Sequence, residues 1–450
     1  MSTCRRFRIV IPVFLMTVVL LHAWPATAED ARPLTVEQAV EMGLGYSKAL
    51  KASSEKAEGA EAKARENDSF RLPSLKFTGA YTRLSKVPPF EIDLSFMGLG
   101  KFIINPSLLN AYNMQLTVQQ PIFTGFQLSG LSELGHFEAK AALEELRKDA
   151  SEVALSVRTA YWTVYKAKEI KRLVDENASL VEAHLRDVRN FFDQGLASQN
   201  DVLKVQVQLS SVQVMQLQAA NGVTLATMAL NSLIGLPVYT EIQILSAVRE
   251  PSPEPAALDS LLTRALDRRP EIKTLGFQIK AAEAGVKIAN SGRYPQVFLV
   301  GNFYMSRPNE RVLPVEDRFR NTWDLSLAVS LDLWNWNRSG HQARQARAFL
   351  AQAQNGAAQV KDGVVLEVSQ NFYALEQQKM AIKLAADTVA QAEENYRVTG
   401  NRFKAGLALN SDLLDAEVAL LQAKINHSQA LVDCEVLRAR LAKSVDSEGR

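Results

Sequence analysis

Apolar residues recur at steps of three and four along most of this chain, and at steps of two in four short stretches. The first period marks amphipathic helix, and the second marks a strand with two unlike faces. Residues 34–44 predict a short helix with Val36, Ala39, Val40 and Leu44 on one side. A second helix is predicted over 48–70 and stops at Leu72-Pro73, because proline disfavours helix in the residue before it. Over 74–81, Leu75, Phe77 and Tyr81 alternate with Ser74, Lys76 and Thr78. Residues 82–112, with Pro88-Pro89 and several glycines, read as a long connection. Over 113–122, Met114, Leu116, Val118 and Ile122 oppose Gln115, Thr117 and Gln119. Helical pattern then runs from 126 to 193 with no proline, a length that points to coiled coil. After Gly195 a helix over 200–234 ends at Gly235-Leu236-Pro237.

The second half follows the same plan. Helices are predicted over 258–266 and 270–291, the latter with Pro270 at a first helical position. Strands follow over 296–304 and 323–333. The last puts Leu325, Leu327, Val329, Leu331 and Leu333 opposite Asp324, Ser326, Ser330 and Asp332. A long helix over 340–404 ends near Gly406, and the final helix carries Leu414, Val418, Leu421 and Ile425 at coiled-coil spacing. The two turns are near-copies. Gly195, Leu196, Ala197, Asp201 and Leu203 match Gly406, Leu407, Ala408, Asp412 and Leu414 at a constant offset of about 211 positions, which predicts an internal duplication. Glycine stops one helix and a Ser/Asn/Asp cluster starts the next, so each copy is the tip of a helical hairpin. The predicted repeats are 29–237 and 257–450, joined by a linker over 238–256 that contains Pro251, Pro253 and Pro255.

Composition adds an address. Arg5, Arg6 and Arg8 precede an apolar run from Ile9 to Leu21, and Ala26-Thr27-Ala28 follows. This predicts a signal peptide over 1–28, the run being short for a membrane span; an uncleaved anchor is the competing reading. Cleavage would remove Cys4 and leave Cys434 as the only cysteine, so no intrachain disulfide is expected. Glu29 at the cut offers no cysteine for a lipid anchor. Charge is nearly balanced and no basic block is present, so no nucleic-acid partner is expected. The five histidines are scattered, and no phosphate loop or serine elbow occurs. No enzyme, cofactor or metal site is predicted.

Lengths then suggest an assembly. A helix of roughly 65–68 residues spans about 100 Å, and flanking helices of about 23 and 35 residues, laid end to end, span about 90 Å. One long helix can therefore pair with two shorter ones in line. Strands of about ten residues with one apolar face suit an outer-membrane barrel wall. Four strands cannot close a barrel, and an open edge in lipid leaves backbone groups unsatisfied. Three copies would supply twelve strands. The polar faces, with Gln115, Thr117, Asp324 and Asp332, would line the lumen, and Phe123, Phe126, Trp334 and Trp336 would lie at the membrane interface. A small sheet packed in a soluble protein is the other reading of these strands.

With this order of elements, and with the segments LTVEQAVEMGL, RRPEIKTL, YPQVFLVGNFY, GLASQNDVL, GLALNSDLLDAE and LNSLIGLP, the chain resembles the outer-membrane efflux protein family, the TolC-like channels. The resemblance spans nearly the whole chain beyond the signal segment. It implies a mainly α fold with membrane β. In a TolC-like homotrimer, four strands per chain form a shared 12-stranded β-barrel in outer-membrane lipid. A long α-helical coiled-coil tunnel extends into the periplasm. It also implies a passive exit duct for efflux or type I secretion, docked to a periplasmic adaptor (membrane fusion) protein and an inner-membrane pump of RND, ABC or MFS type. A soluble periplasmic coiled-coil scaffold or adaptor is the alternative, although an adaptor ordinarily has one hairpin and larger β domains.

Asp412 and Asp415 lie three apart on one helical face. In a trimer they would form two acidic rings, which favour cations, and similar pairs make the periplasmic constriction in the family. Asp412 has a second reading as a first-turn helix-start acid, like Asp201 in the other repeat. Asp415 has no acidic twin, its counterpart being Lys204. Some family members close the mouth with an arginine two residues after the tip glycine and a tyrosine three before it. This chain has Ala408 and Phe403 there, so an arginine link to an aspartate such as Asp201 is absent and packing of Phe403 is expected instead. The resemblance also makes Gly195, Leu196, Ala197, Ser198 and Gly406, Leu407, Ala408, Leu409 candidates for adaptor docking; plain turn chemistry is their other role.

Overall fold

The computed structural model describes residues 32–248 and 257–446. The predicted signal segment lies outside the described residues, as does the proline cluster of the predicted linker. In chain order the elements begin with β1 (Arg32–Leu34), α1 (Val36–Tyr46), α2 (Lys48–Ser69) and β2 (Ser74–Arg83). Next come β3 (Phe90–Asp93), β4 (Lys101–Asn105), β5 (Asn110–Thr124), α3 (Gln127–Asp193), α4 (Gln199–Ile234) and β6 (Ile242–Ile244). The second half comprises α5 (Leu258–Arg268), α6 (Pro270–Asn290), β7 (Gln296–Arg307), β8 (Arg320–Ser330), α7 (Arg338–Lys404) and α8 (Asn410–Ser444).

The four-stranded sheet and the long helices form one layer. The strand order is β2-β5-β7-β8, antiparallel throughout. Next to the sheet, α2, α3, α6 and α7 stand side by side; farther away the order is α4, α3, α8, α7. Each long helix has 67 residues, about 100 Å at 1.5 Å per residue. It reaches from the sheet to the tip and pairs with two shorter helices in line. The layer therefore has two open borders, one along β2 and α4 and the other along β8 and α7.

The core is a set of local clusters, because a single layer has no centre. Where α2 gives way to α4, Leu34, Val40, Val157, Tyr161, Leu230 and Ile242 form the largest buried group. The Tyr161 hydroxyl donates to Leu34 O at 2.9 Å and accepts from Ser246 N at 3.1 Å. A second cluster, with Val181, Val188, Val205 and Val212, zips α3 to α4 toward the tip.

Four expectations need correction. The connection over 82–112 contains its own hairpin, β3 paired with β4; its proline and glycine content had masked four- and five-residue strands. The described start of the predicted linker carries β6, which pairs in parallel with β1; three-residue strands show no periodicity. The last strand runs Arg320–Ser330, not 323–333. Its ladder stops where Ser330 meets Gln296, because the next partner residue, Pro295, has no N–H to give. Finally, Ile122 falls at a bulge between Pro121 and Phe123, so it does not continue the row of Met114, Leu116 and Val118. Bulges are where a proline inside a sheet is tolerated.

Candidate functional site

The residues singled out in the sequence fall in two regions, the hairpin tips and the sheet. Both tips end their long helix in the same way. Gly195 has φ +78° and Gly406 φ +73°, a left-handed conformation that glycine adopts without a Cβ penalty. Gly195 N bonds Phe192 O at 2.9 Å and Leu196 N bonds Phe191 O at 2.8 Å. Gly406 N bonds Phe403 O at 2.9 Å and Leu407 N bonds Arg402 O at 2.8 Å. This paired bonding satisfies carbonyls that a helix end would otherwise leave open.

The helix starts differ. At the first tip, Asp201 N donates to Ser198 Oγ at 3.2 Å, and Asp201 Oδ2 accepts from Ser198 N at 3.1 Å and Ser198 Oγ at 2.6 Å. This is a complete capping box. The Ser198 hydroxyl is the main reason that the Asp201 carboxyl sits below its usual range. At the second tip Leu409 occupies the cap position and has no acceptor to offer. Only the reverse bond remains, from Leu409 N to Asp412 Oδ2 at 3.1 Å. Asp412 thus has a helix-start role in common with Asp201. Asp415, one turn on, is exposed and has no hydrogen bond or ion pair among the described residues.

Phe403 packs between the hairpins. Its ring lies 5.3 Å from that of His184 and 5.6 Å from that of Phe191, both on α3. The tips are also joined by Asn410, buried at the start of α8, whose Nδ2 donates to Asp201 O at 3.2 Å. That link was not evident in the sequence, since asparagine at a helix start reads only as a cap. Between the tips lies a groove of about 600 Å³ whose lining includes Phe191, Leu196, Ala197, Lys204, Ala408 and Leu409. Leu196 is 73 % exposed and Leu407 and Leu409 are 69 % exposed. Apolar side chains therefore project from both turns.

In the sheet, register sorts residues onto two faces. Leu75, Val118, Gly301 and Leu325 form one row of neighbours; Phe77, Leu116, Phe303 and Trp323 form the next. This face is apolar and bare: Leu75, Phe77, Trp323, Leu325, Leu327 and Val329 are all more than half exposed. On the other face, Lys76, Thr117, Asn302 and Asp324 form one row. Here Asn302 Nδ2 donates to Asp324 Oδ1 at 2.9 Å. Asn302 Oδ1 accepts from Thr117 Oγ1 at 2.9 Å and from Gln115 Nε2 at 3.0 Å. A soluble protein rarely leaves so large an apolar patch uncovered. At the strand–helix junctions, Phe126 stacks edge-on against Phe123 and Tyr294, and Trp334 against Trp336. Among the described residues no helix is long and apolar enough to cross a membrane, and no group of three potential ligands could hold a metal ion.

Known proteins match this architecture over most of its length. The profile of a family described as "Outer membrane efflux protein" matches residues 40–236 and 261–445. The outer membrane protein TolC of Vibrio cholerae is 24 % identical over 385 residues, covering 84 % of this chain and 83 % of that protein. The outer membrane efflux protein BepC of Brucella suis is 22 % identical over 378 residues, covering 78 % and 80 %. The crystal structure of the outer membrane protein VceC of Vibrio cholerae superposes with a TM-score of 0.77 at 20 % identity, covering 91 % of this chain and 95 % of that one.

Proposed function

Because the chain belongs to the outer membrane efflux protein family, we propose that three copies of it close into one passive exit duct through the outer membrane. The observation that carries this reading is the bare apolar face of a sheet whose two outer strands, β2 and β8, each have a partner on one side only. Lipid is the solvent in which such a face is stable, and a closed barrel is the only sheet that lipid tolerates. Pairing β8 of one copy with β2 of the next gives twelve strands. The polar row of Thr117, Asn302 and Asp324 then faces the lumen, and Phe126, Trp334 and Trp336 lie at the membrane boundary.

The helical borders support the same closure. On α4, Leu203, Val207, Val214, Leu217 and Leu225 are exposed in steps of three, four, seven and eight residues. On α7, Leu366, Tyr373, Met380 and Leu384 are exposed in steps of seven and four. Each is one half of a coiled-coil seam that no described residue covers. Joining α4 of one copy to α7 of the next completes both and gives a tunnel about 100 Å long. In this reading the two halves, 29–237 and 257–450, are duplicated repeats. Asp412 and Asp415 form acidic rings at the narrow mouth, with Asp201 beside them and Phe403 packed behind.

The duct has no energy source of its own. BepC is an efflux protein by name, and a division of labour fits this chain: an inner-membrane pump drives the cargo and a periplasmic adaptor joins pump to duct. The adaptor docks at the tips, on Gly195, Leu196, Ala197 and Ser198 and on Gly406, Leu407, Ala408 and Leu409, where apolar side chains and the intervening groove offer a surface to a partner helix. Fractionation tests the assembly. The protein is expected as a heat-resistant trimer in the outer-membrane fraction; a soluble monomer in the periplasmic extract would overturn the reading.

A further inference from the structure

We propose that Arg311 is a selectivity-determining residue at the outer end of the lumen, where it forms a charged constriction separate from the acidic mouth at the tips. The proposal rests on the duct reading above, since it takes the polar sheet face to line a lumen.

The connection between β7 and β8 leaves the sheet at the end away from the helices and folds back over the polar face. Asn309, 4 % exposed, pins its first turn. Its Nδ2 donates to Arg320 O at 3.1 Å and Thr322 Oγ1 at 3.4 Å, and its Oδ1 accepts from Arg311 N at 3.0 Å. The Arg311 guanidinium is thereby laid along the face. It donates to Asp324 Oδ2 at 3.3 Å and to Trp323 O at 3.4 Å, and its Cζ lies 5.4 Å from the centre of the Tyr304 ring. Tyr304 pairs with Gln115 and Asp324 with Asn302, so both contacts are on the polar side. Asp324 in turn holds Asn302, which holds Gln115 and Thr117. The guanidinium ends a hydrogen-bonded row that crosses three strands.

This arrangement fixes a charge without hiding it. The Arg311 side chain is 54 % exposed, against 28 % for Asp324. A guanidinium keeps its proton at every working pH, so the charge is permanent. Three copies would place three arginines, each paired with one aspartate, around the outer opening. Removing either partner unmasks the other, so the two substitutions act with opposite sign.

The test is the potassium-to-chloride permeability ratio of the full-length protein in planar bilayers under a KCl gradient. It is measured in an Asp412→Ala/Asp415→Ala background so that the inner mouth does not dominate. Arg311→Gln is expected to raise the ratio more than roughly tenfold and Asp324→Asn to lower it by a similar factor: one unit charge about 5 Å from the ion path through water shifts each ion roughly fourfold, cation and anion in opposite directions, and every copy carries one. Arg311→Lys keeps the charge and is expected to keep the ratio. Arg311→Cys, treated from outside with a cationic methanethiosulfonate, is expected to return toward the parent ratio, and with an anionic one to move further away. Conducting variants whose ratios do not differ, or thiol reagents without effect, would overturn the proposal and leave the duct intact. A parent protein that forms no channel would overturn the duct reading and this proposal with it.

Discussion

His184 on α3 and Glu417 on α8 meet inside the protein, Nδ1 3.2 Å from Oε1, with 3 % and 1 % of their side chains exposed. Among the described residues neither completes a well-aligned hydrogen bond, and the Phe403 ring closes against the imidazole. The pair therefore ties the first hairpin to the second within one chain. Breaking a buried pair by removing one partner costs about 3–5 kcal/mol, whereas replacing both with apolar residues is often neutral or better. His184→Leu is expected to lower the urea midpoint strongly because it leaves the buried Glu417 side chain without its polar partner. His184→Leu/Glu417→Leu should recover most of the loss. A double variant as unstable as the sum of the singles would rule out this coupling.

The tips differ at one cap, and the difference can be exchanged. Ser198→Ala removes a complete capping box and should cost about 1 kcal/mol. Leu409→Ser supplies the missing acceptor for the α8 start and should gain a similar amount. Thermal unfolding of the two variants should move in opposite directions; a destabilised Leu409→Ser protein would mean that Leu409 is held by packing at the tip.

Arg269, at the turn between α5 and α6, is 4 % exposed and bonds Glu367 at 2.6 Å and Glu271 at 3.0 Å. It anchors that turn to α7. Burial, the largest influence on the Glu271 carboxyl, pushes it up, but the hydrogen bonds and charge of Arg269 outweigh burial and hold it below its ordinary 4.5. A carboxyl depressed by folding contributes stability that is complete above the unfolded value and lost as pH falls through the folded one. Unfolding free energy should therefore drop as pH falls below about 4.5, and Glu271→Gln should flatten that part of the profile. A variant profile parallel to wild type throughout would exclude this source of acid sensitivity.

The exposed seams on α4 and α7 supply a direct test of closure. A carboxylate at Leu217 or Met380 would have to be buried without a partner when copies join. Leu217→Glu and Met380→Glu are each expected to yield monomers in detergent by light scattering. A trimer that survives both substitutions would place the seams away from the contact between copies.

The long helices, the tips and the main strands were legible because each repeats a period over many residues; α3 and α7 show it over 67 residues each. The β1–β6 pair was not legible because three residues carry no period. The hairpin of β3 and β4 was hidden by Pro88-Pro89 and its glycines. At the tips the sequence singled out Asp201, Asp412 and Phe403, and the cap geometry accounts for the first two. It was silent on His184 with Glu417 and on Asn410 with Asp201, since residues far apart in sequence reveal a contact only once the helices are set side by side.

Single-channel recording of purified protein in planar bilayers decides whether this chain forms a channel with an acidic inner mouth. Wild-type protein is expected to give a small, cation-selective conductance that rises and loses selectivity in Asp412→Ala/Asp415→Ala. Folded wild-type protein that gives no conductance would contradict the channel itself, and a channel indifferent to the double substitution would leave Asp412 as a helix-start residue and Asp415 as a solvated surface acid.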